Sequence, residues 1–447
     1  MKTKNTMTII AGLALAAAFT AAADIRCRVE PDYSVRLADK PGDAYVKVTL
    51  AADKVAAATR PSVNLSIVLD RSGSMHGEKI VKAREAACEA IRRLDSRDIV
   101  SVIAYDNASE VVIPAQHVTE KEALIARIKS IEPGGCTALF AGVAAGAAEL
   151  RKFKGKCEIS RVLLLSDGQA NIGPSSAEEL GRYGALLMKD GIAVSTVGLG
   201  VDYNEDLMTR LSQKSDGNSY FVEKSDDLPR IFSGELGDVL SVAATRVALK
   251  VHFRTGFTPV ALIGRDGRIL DGVVSIDLNQ LYGGQEKYVI VKCDAAPGVV
   301  GSAREIAKAE VTYVDPKSEA SKTVTGVGTV TCSADPAAVA ASVNKSVLRE
   351  RALNENAVRT EEALRLADRG DFEAAQNLLE LNSANSRDVQ RVIGRDRILA
   401  ADAYMQMENF RNMNSGSYDA AGRKKMKTSS FQLRNQQIDK SKIDKSR

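Results

Sequence analysis

The sequence predicts an α/β fold, a doubly wound and mostly parallel sheet, joined to an antiparallel β-sandwich and a C-terminal helical region. Three observations carry this. Between Val63 and about Leu240, short apolar runs alternate with longer amphipathic segments, the texture of strand and helix in turn. After Leu240 apolar and polar residues alternate one by one between Gly, Asp and Pro turns, as in antiparallel strands with one buried face. From about Asp335 to Phe410 apolar residues recur at three and four spacing, the period of a helix face. The chain has 447 residues, 45% of them hydrophobic and 26% charged, enough for two or three domains with cores of their own.

At the start, Lys2 and Lys4 precede an apolar run from about Met7 to Phe19, and Ala21, Ala22 and Ala23 precede Asp24. These are the three parts of a secretory signal peptide, residues 1–23, cleaved after Ala23. The alternative is an uncleaved anchor, for which the run is shorter than the roughly 20 residues that a spanning helix needs. Cys27 follows Asp24, Ile25 and Arg26 rather than small residues, which argues against a lipid anchor. The expectation is an exported protein: periplasmic, secreted or on the cell surface. Its cysteines, at 27, 88, 136, 157, 293 and 332, all lie beyond the cleavage point, and an oxidising compartment would permit disulfides. Six cysteines allow many pairings and the sequence does not choose among them. Cys293 and Cys332 each end a strand-like segment, VIVKC and GTVTC, and form the favoured pair; Cys88, on an apolar helix face, suits a buried thiol.

Residues 24–60 contain AYVKVTLA (44–51), which alternates like the later strands and finds no partner in the α/β part. It is expected to join them in one sandwich, with the α/β domain, residues 61–240, inserted into it. Within that domain LSIVLD (65–70), DIVSVIAY (98–105), RVLLLSD (161–167) and IAVSTVGLG (192–200) read as central strands. GEKIVKAREAACEAIRRL, EKEALIARIKSI and SAEELGRYGALLMKDG, between them, read as helices. The sandwich continues over 241–334 with TRVALKVHF, RILDGVVSIDL, EKYVIVKC and AKAEVTYV. Residues 335–412 read as a helical hairpin region, turning at Arg369, Gly370 and Asp371. LADRGDFEAAQNLLE looks like one tetratricopeptide-type hairpin, although such units need about three copies to stack. The net charge of +4 is uneven, because Arg423, Lys424, Lys425, Lys427, Arg434, Lys440, Lys442, Lys445 and Arg447 crowd the end. Residues 413–447 are expected to form a basic disordered tail, either simply solvated or touching an anionic surface. Nothing else points to nucleic acid.

The chemistry gathers at strand ends. LSIVLD runs into Asp70-Arg71-Ser72-Gly73-Ser74-Met75, so an acid and two hydroxyls project where a strand meets a helix. That is the carboxyl edge of the sheet, where open α/β folds bind ligands. Pro133-Gly134-Gly135-Cys136-Thr137 delivers another hydroxyl on a flexible loop, and RVLLLSD ends in Asp167 before Gly168. Two carboxylates and three hydroxyls suit a hard cation, Mg²⁺ first and Mn²⁺ or Ca²⁺ as alternatives; Mg²⁺ in particular is held by few carboxylates and keeps some waters. Asp70 and the serines could instead merely cap a helix start, which would not require Thr137 and Asp167 as well. Asp106, Asn107 and Asn171 read as turn formers.

The order Asp-x-Ser-x-Ser, Thr, Asp resembles the metal-ion-dependent adhesion site of von Willebrand factor type A domains. The resemblance covers residues 61–240, under half the chain, and AYDNASE (104–110), LSDGQANIG (165–173), STVGLGVDYNEDLM (195–208) and GNSYFVE (217–223) resemble bacterial members. It implies that Ser72, Ser74 and Thr137 approach the metal directly while Asp70 and Asp167 hold bound waters. It further implies that a carboxylate of a protein partner fills the open coordination position. Cys136 stands where a glycine is common in that family. A switch of the last helix of the domain, known in some relatives, is not legible in these residues.

Enzymatic readings fare worse. A serine hydrolase needs a base beside its nucleophile, and the chain has only His76, His117 and His252. His76 lies two residues from Ser74, but Gly73-Ser74-Met75-His76-Gly77 is not a nucleophile elbow. An aspartyl phosphotransferase would want a second Asp where Ser72 stands. No zinc motif, P-loop or dinucleotide glycine pattern follows a strand. The expectation is a non-enzymatic, metal-dependent protein-binding module with no small-molecule substrate. The alternative is an assembly scaffold in which the metal only stabilises the α/β domain.

Overall fold

The computed structural model describes residues 24–54, 60–414 and 418–437; the expected signal peptide lies outside them. The described residues begin with β1 (Ile25–Pro31), β2 (Val35–Leu37) and β3 (Gly42–Ala52). An α/β unit follows: β4 (Val63–Asp70), α1 (Glu78–Arg93), β5 (Ile99–Tyr105), β6 (Ser109–His117), α2 (Lys121–Lys129), α3 (Leu139–Lys152), β7 (Ile159–Ser166), α4 (Ala177–Lys189), β8 (Ile192–Leu199), α5 (Glu205–Ser215), β9 (Ser219–Val222) and α6 (Leu228–Val239). Strands resume with β10 (Val242–Phe253), β11 (Phe257–Ile263), β12 (Arg268–Leu270), β13 (Val273–Tyr282), β14 (Glu286–Ala295), β15 (Ala303–Val314) and β16 (Ser321–Ser333). Helices α7 (Pro336–Ala341), α8 (Lys345–Asp368), α9 (Phe372–Ile393), α10 (Arg397–Asn414) and α11 (Ala420–Arg434) follow among the described residues. Among the described residues no helix is long and apolar enough to cross a membrane.

The α/β sheet has the order β6-β5-β4-β7-β8-β9, parallel except for the antiparallel edge strand β6. Every residue of β4, β5 and β8 is buried, because helices cover both faces, and the sequence answers with unbroken apolar runs rather than alternation. One face packs against α1, α2 and α6 through Ile80, Ile91, Leu124, Phe232 and Leu236. The other packs against α3, α4 and α5 through Val143, Leu180, Leu187 and Leu207. Helix α3 lies so close to the sheet that a Cβ at Gly142 would stand 2.6 Å from the Tyr105 ring, which fixes glycine there. From β4 the chain moves to β5 on one side and later to β7 on the other. The crevice at this switch of direction, outside the carboxyl ends of β4 and β7, is where such sheets offer a site.

The remaining strands form two facing sheets, β1-β3-β14-β11 and β12-β13-β10-β15-β16-β2. Val46, Val48 and Leu50 of β3 meet Val289 and Val291 of β14 and Leu249, Val251 and Val311 of the other sheet in one core. Strand β3 pairs with β14 along its length, so residues on both sides of the α/β unit build one sandwich. The insertion closes neatly: Gly284 N donates to Ala52 O at 2.9 Å and Gly283 N to Ser241 O at 2.6 Å. The chain therefore leaves and re-enters the sandwich at one turn.

Two expectations are corrected. The cysteines are free thiols; Cys293 and Cys332, the favoured pair, are buried on β14 and β16 in opposite sheets, each packed as a small apolar side chain. The basic end is not a disordered tail over 420–434, which form α11. Its charges meet carboxylates from elsewhere: Arg423 pairs with Asp206 at 2.7 Å and Asp368 at 2.6 Å, Lys427 with Asp206 at 3.0 Å and Arg434 with Glu361 at 2.6 Å. Lys424, itself buried, pairs with Glu205, while Met426 and Phe431 are buried. A run of like charges predicts disorder only when no complementary surface awaits it.

Candidate metal centre

Strand β4 delivers Asp70 to the sheet edge, and the Asp70 carboxylate turns the chain. Its Oδ1 accepts from Ser72 N at 2.8 Å, a local bond that aspartate makes readily. A short 3₁₀ turn, Gly73–Met75, follows, anchored by the buried Met75, before α1 begins. The other carboxylate oxygen, Oδ2, accepts from Ser166 Oγ at 2.8 Å, and the Tyr105 hydroxyl lies 3.3 Å away. Burial pushes the Asp70 carboxyl up from the ordinary aspartate range, against the lowering effect of the bonds from Ser72 and Ser166, and the nearby Asp167 charge pushes the same way. Burial likewise drives the Tyr105 phenol well up, so it stays a neutral donor.

The loop carrying Thr137 is stapled on three sides. Gly134 N donates to Arg71 O at 2.7 Å, Gly73 N to Gly135 O at 3.0 Å and Ala138 N to Asp106 O at 2.7 Å. Asn107 Oδ1 accepts from Cys136 N at 2.9 Å. Asn171 grips Thr137 from both sides, its Oδ1 accepting from Thr137 N at 2.9 Å and its own N donating to Thr137 O at 3.2 Å. Arg71 Nε bonds Asp106 at 2.9 Å. The exposed Cys136 thus sits on a loop whose backbone is held through neighbours.

Asp167, directly after β7, has both oxygens engaged: Oδ1 accepts from Ser74 Oγ at 2.6 Å and Oδ2 from Lys79 Nζ at 2.5 Å. Ser74 Oγ lies 3.1 Å from Ser72 Oγ. A Cβ on Gly168 would stand 3.2 Å from Thr137 Oγ1, tighter than an ordinary contact, and 3.5 Å from Ser74 Oγ, so both hydroxyls lie over this strand end and the glycine eases the approach of Thr137. The structure thereby brings all five sequence-predicted residues, Asp70, Ser72, Ser74, Thr137 and Asp167, to one edge of the sheet. The two carboxylates are buried beneath, Ser72 and Thr137 are nearly so, and Ser74 is exposed at the rim.

The donor set fits a hard divalent cation. Every side chain offers oxygen, only two are acids, and buried carboxylates this close favour a bound cation. No group of three or more His, Cys, Asp or Glu side chains elsewhere among the described residues offers a rival centre. His76 Nδ1 lies 2.8 Å from Gly73 O, so that ring is spent on a main-chain carbonyl. Asp106, Asn107 and Asn171, read from sequence as turn formers, hold the Thr137 loop, and Tyr105, Ser166 and Lys79 were not singled out at all. Tyr105 and Ser166 hide inside apolar strand runs. Lys79 left a trace, since a cation in the first turn of a helix opposes the helix dipole.

Comparison with known proteins bears on the fold. Residues 64–234 match the von Willebrand factor type A domain family. An uncharacterised protein, sll0103, of Synechocystis sp. is 28% identical over 208 residues, 45% of this chain and 49% of that protein. The uncharacterised YfbK of Escherichia coli is 25% identical over 50% of this chain and 40% of its own length. The chain thus spans half or less of these curated relatives. Among solved structures, a von Willebrand factor type A protein from Catenulispora acidiphila is similar with a TM-score of 0.71 at 16% identity, covering 92% of this chain and 97% of that one. The ArnB paralog VWA2 from Sulfolobus acidocaldarius follows at 0.61 and 18% identity, covering 93% and 99%. The likeness of fold in both extends over the sandwich and helices as well as the α/β unit. The inserted unit of this chain, from Asn64 to Gly234, is a von Willebrand factor type A domain.

Proposed function

We propose that this protein is an exported, non-enzymatic binding module that captures a protein partner through a divalent cation. One observation carries the reading: oxygen donors from three separate loops converge at the switch point of the sheet, with a glycine cradle at Gly168 that leaves room for them. Ser72, Ser74 and Thr137 would hold the ion directly, and Asp70 and Asp167 would orient its waters. Mg²⁺ is the first choice, with Mn²⁺ or Ca²⁺ able to satisfy the same oxygens. When bound, the ion supplies an open coordination position for a carboxylate of the partner. This chain's own residues do the rest. Asn107 and Asn171 fix the Thr137 loop, Tyr105 and Ser166 orient Asp70, and Ser74 stands exposed at the rim, where a protein surface can reach it.

Export rests on the N-terminal pattern of residues 1–23, and intact mass of the purified mature protein tests it by locating cleavage after Ala23. The scaffold reading is favoured by a different observation, the buried contacts that tie the α/β unit to the sandwich and to α11. Calorimetric titration of Mg²⁺ and Mn²⁺ into the mature protein, beside the double substitution Asp70→Ala and Ser72→Ala with folding followed by circular dichroism, separates the two. The binding module predicts saturable binding lost in a folded double variant, and partner capture abolished by chelator while the fold survives. A metal that only stabilises the domain predicts that chelator unfolds the protein and ends binding together.

A further inference from the structure

The cation nearest the centre is already part of the chain. Lys79 lies in the first turn of α1, five residues beyond Ser74, and its Nζ reaches Asp167 Oδ2 at 2.5 Å. A Cβ built on Gly200 would stand 3.8 Å from the same nitrogen, so the ammonium sits between the ends of β7 and β8, at the mouth of the crevice. Asp167 is fully buried, whereas the Lys79 side chain is about one-third exposed, 31%. Position makes this placement specific. A lysine in a first helical turn is disfavoured by the helix dipole, and the gain that offsets it is the pairing with a carboxylate otherwise buried without a cation. Asp70, by contrast, receives only neutral donors: Ser72 N, Ser166 Oγ and the Tyr105 hydroxyl. Of the two acids, one is satisfied by dipoles and the other by a charge.

We infer that Lys79 is the resident counter-ion of this centre, a positioning residue that holds Asp167 in the ion-free protein and competes with a divalent cation for it. The inference rests on the metal-binding reading of the same site. Two carboxylates and one ammonium leave one net negative charge; a divalent ion turns that into one net positive charge, where without the ammonium it would bring neutrality. The ammonium therefore opposes the ion electrostatically at short range and supplies the protein with a folded, ion-free state. The tether is long enough for the ammonium to swing into solvent when Asp167 engages an ion, as lysine stems permit.

The test uses the full mature chain, with Lys79→Met, Lys79→Gln as a shorter neutral variant, and Lys79→Arg to retain the charge. Mn²⁺ alone is titrated calorimetrically, and melting is followed in chelator and in saturating Mn²⁺. Both neutral variants are expected to bind Mn²⁺ on the order of tenfold more tightly than the wild type. They should melt lower in chelator, with the deficit vanishing in Mn²⁺, and Lys79→Arg should restore wild-type behaviour. A merely structural lysine would give weaker or unchanged affinity, and that result overturns the inference. Wild-type binding that is lost in the Asp70→Ala, Ser72→Ala control while the neutral Lys79 variants match wild type removes the inference alone. Absence of Mn²⁺ binding in the wild type and in both neutral variants removes the metal-site reading and this inference with it.

Discussion

Arg161 of β7 and Glu235 of α6 form an ion pair of 2.8 Å in which neither side chain reaches solvent. The same guanidinium donates to Gln280 Oε1 at 2.6 Å and to the Tyr282 hydroxyl of β13, and Glu235 also accepts from Asn218 at 2.7 Å and Tyr220 at 2.8 Å. One buried cation thus joins the sheet of the α/β unit, its last helix and the sandwich. Removing one member leaves the other buried without its counter-charge. Arg161→Met should cost about 3–5 kcal/mol of stability, read from urea unfolding. The double variant Arg161→Met with Glu235→Leu should recover part of that loss; a double variant as unstable as the sum of the singles would refute a shared origin.

The grip of Asn171 on Thr137 makes a sharper prediction at the site. Asn171→Ala removes the acceptor for Thr137 N and should cost about 1–2 kcal/mol of stability, with a larger proportional loss in Mg²⁺ affinity. An affinity unchanged in calorimetry would mean that the loop is held well enough by Asn107 and Asp106.

Gly168→Ala tests the cradle. Its new methyl would crowd Thr137 Oγ1, so the variant should fold by circular dichroism yet bind Mg²⁺ roughly tenfold more weakly, a penalty near 1.4 kcal/mol. Wild-type affinity in Gly168→Ala would place the ion away from these hydroxyls.

Asp402 of α10 predicts a pH dependence. It is buried and accepts only from neutral groups, Ser386 Oγ at 2.6 Å, Asn356 Nδ2 at 2.7 Å and Gln406 Nε2 at 3.2 Å. Burial raises its carboxyl above the ordinary range, against those bonds. A raised folded-state value means a contribution to stability that is fully present below the unfolded value and lost as pH rises through the folded one. The wild type should therefore lose melting temperature relative to Asp402→Asn as pH climbs from acid to neutral. Parallel pH profiles for the two proteins would show that this carboxyl does not titrate with folding.

Helix α11 predicts a local response. Lys424→Ala takes from the buried Glu205 one of its two cations, leaving Arg423 as the other, and removes the bond from Lys424 Nζ to Tyr203 O, 2.8 Å long. Amide exchange over Ala420–Arg434 should accelerate by roughly tenfold, equivalent to about 1.4 kcal/mol, while strands β4 and β7 stay protected. Unchanged exchange would mean that Met426 and Phe431 alone hold the helix.

The central strands and the placement of five oxygen-bearing residues at one sheet edge were legible for related reasons. A strand covered on both faces must be apolar throughout, so LSIVLD and RVLLLSD declare themselves, and the polar residue that ends each one stands at the sheet edge. Asp70 and Asp167 are those residues. Tyr105 and Ser166 serve the same carboxylate but lie within the apolar runs, where nothing local separates a donor from core filling. Lys79 was legible only as a cation at the wrong end of a helix. The docking of α11 was not legible, because its partners Asp206, Glu361 and Asp368 are remote in sequence and charge complementarity between distant segments leaves no local pattern. The thiols Cys293 and Cys332 end similar strands, yet similarity of setting says nothing of which sheet each strand joins.

The pairing of β3 with β14 has a consequence for synthesis. Gly42 meets Ala295, so a hairpin made early must await a partner emerging 253 positions later (295 minus 42). At about 5–20 residues per second on the ribosome, that delay is roughly 13–50 seconds. Until β10 emerges Val46, Val48 and Leu50 have no opposing sheet, and an entire α/β unit has to collapse in the interval without capturing them. Sequence changes that slow that collapse would then do their harm through clumping of unfinished chains, and a variant whose finished form is as stable as the parent could still be recovered in poor yield.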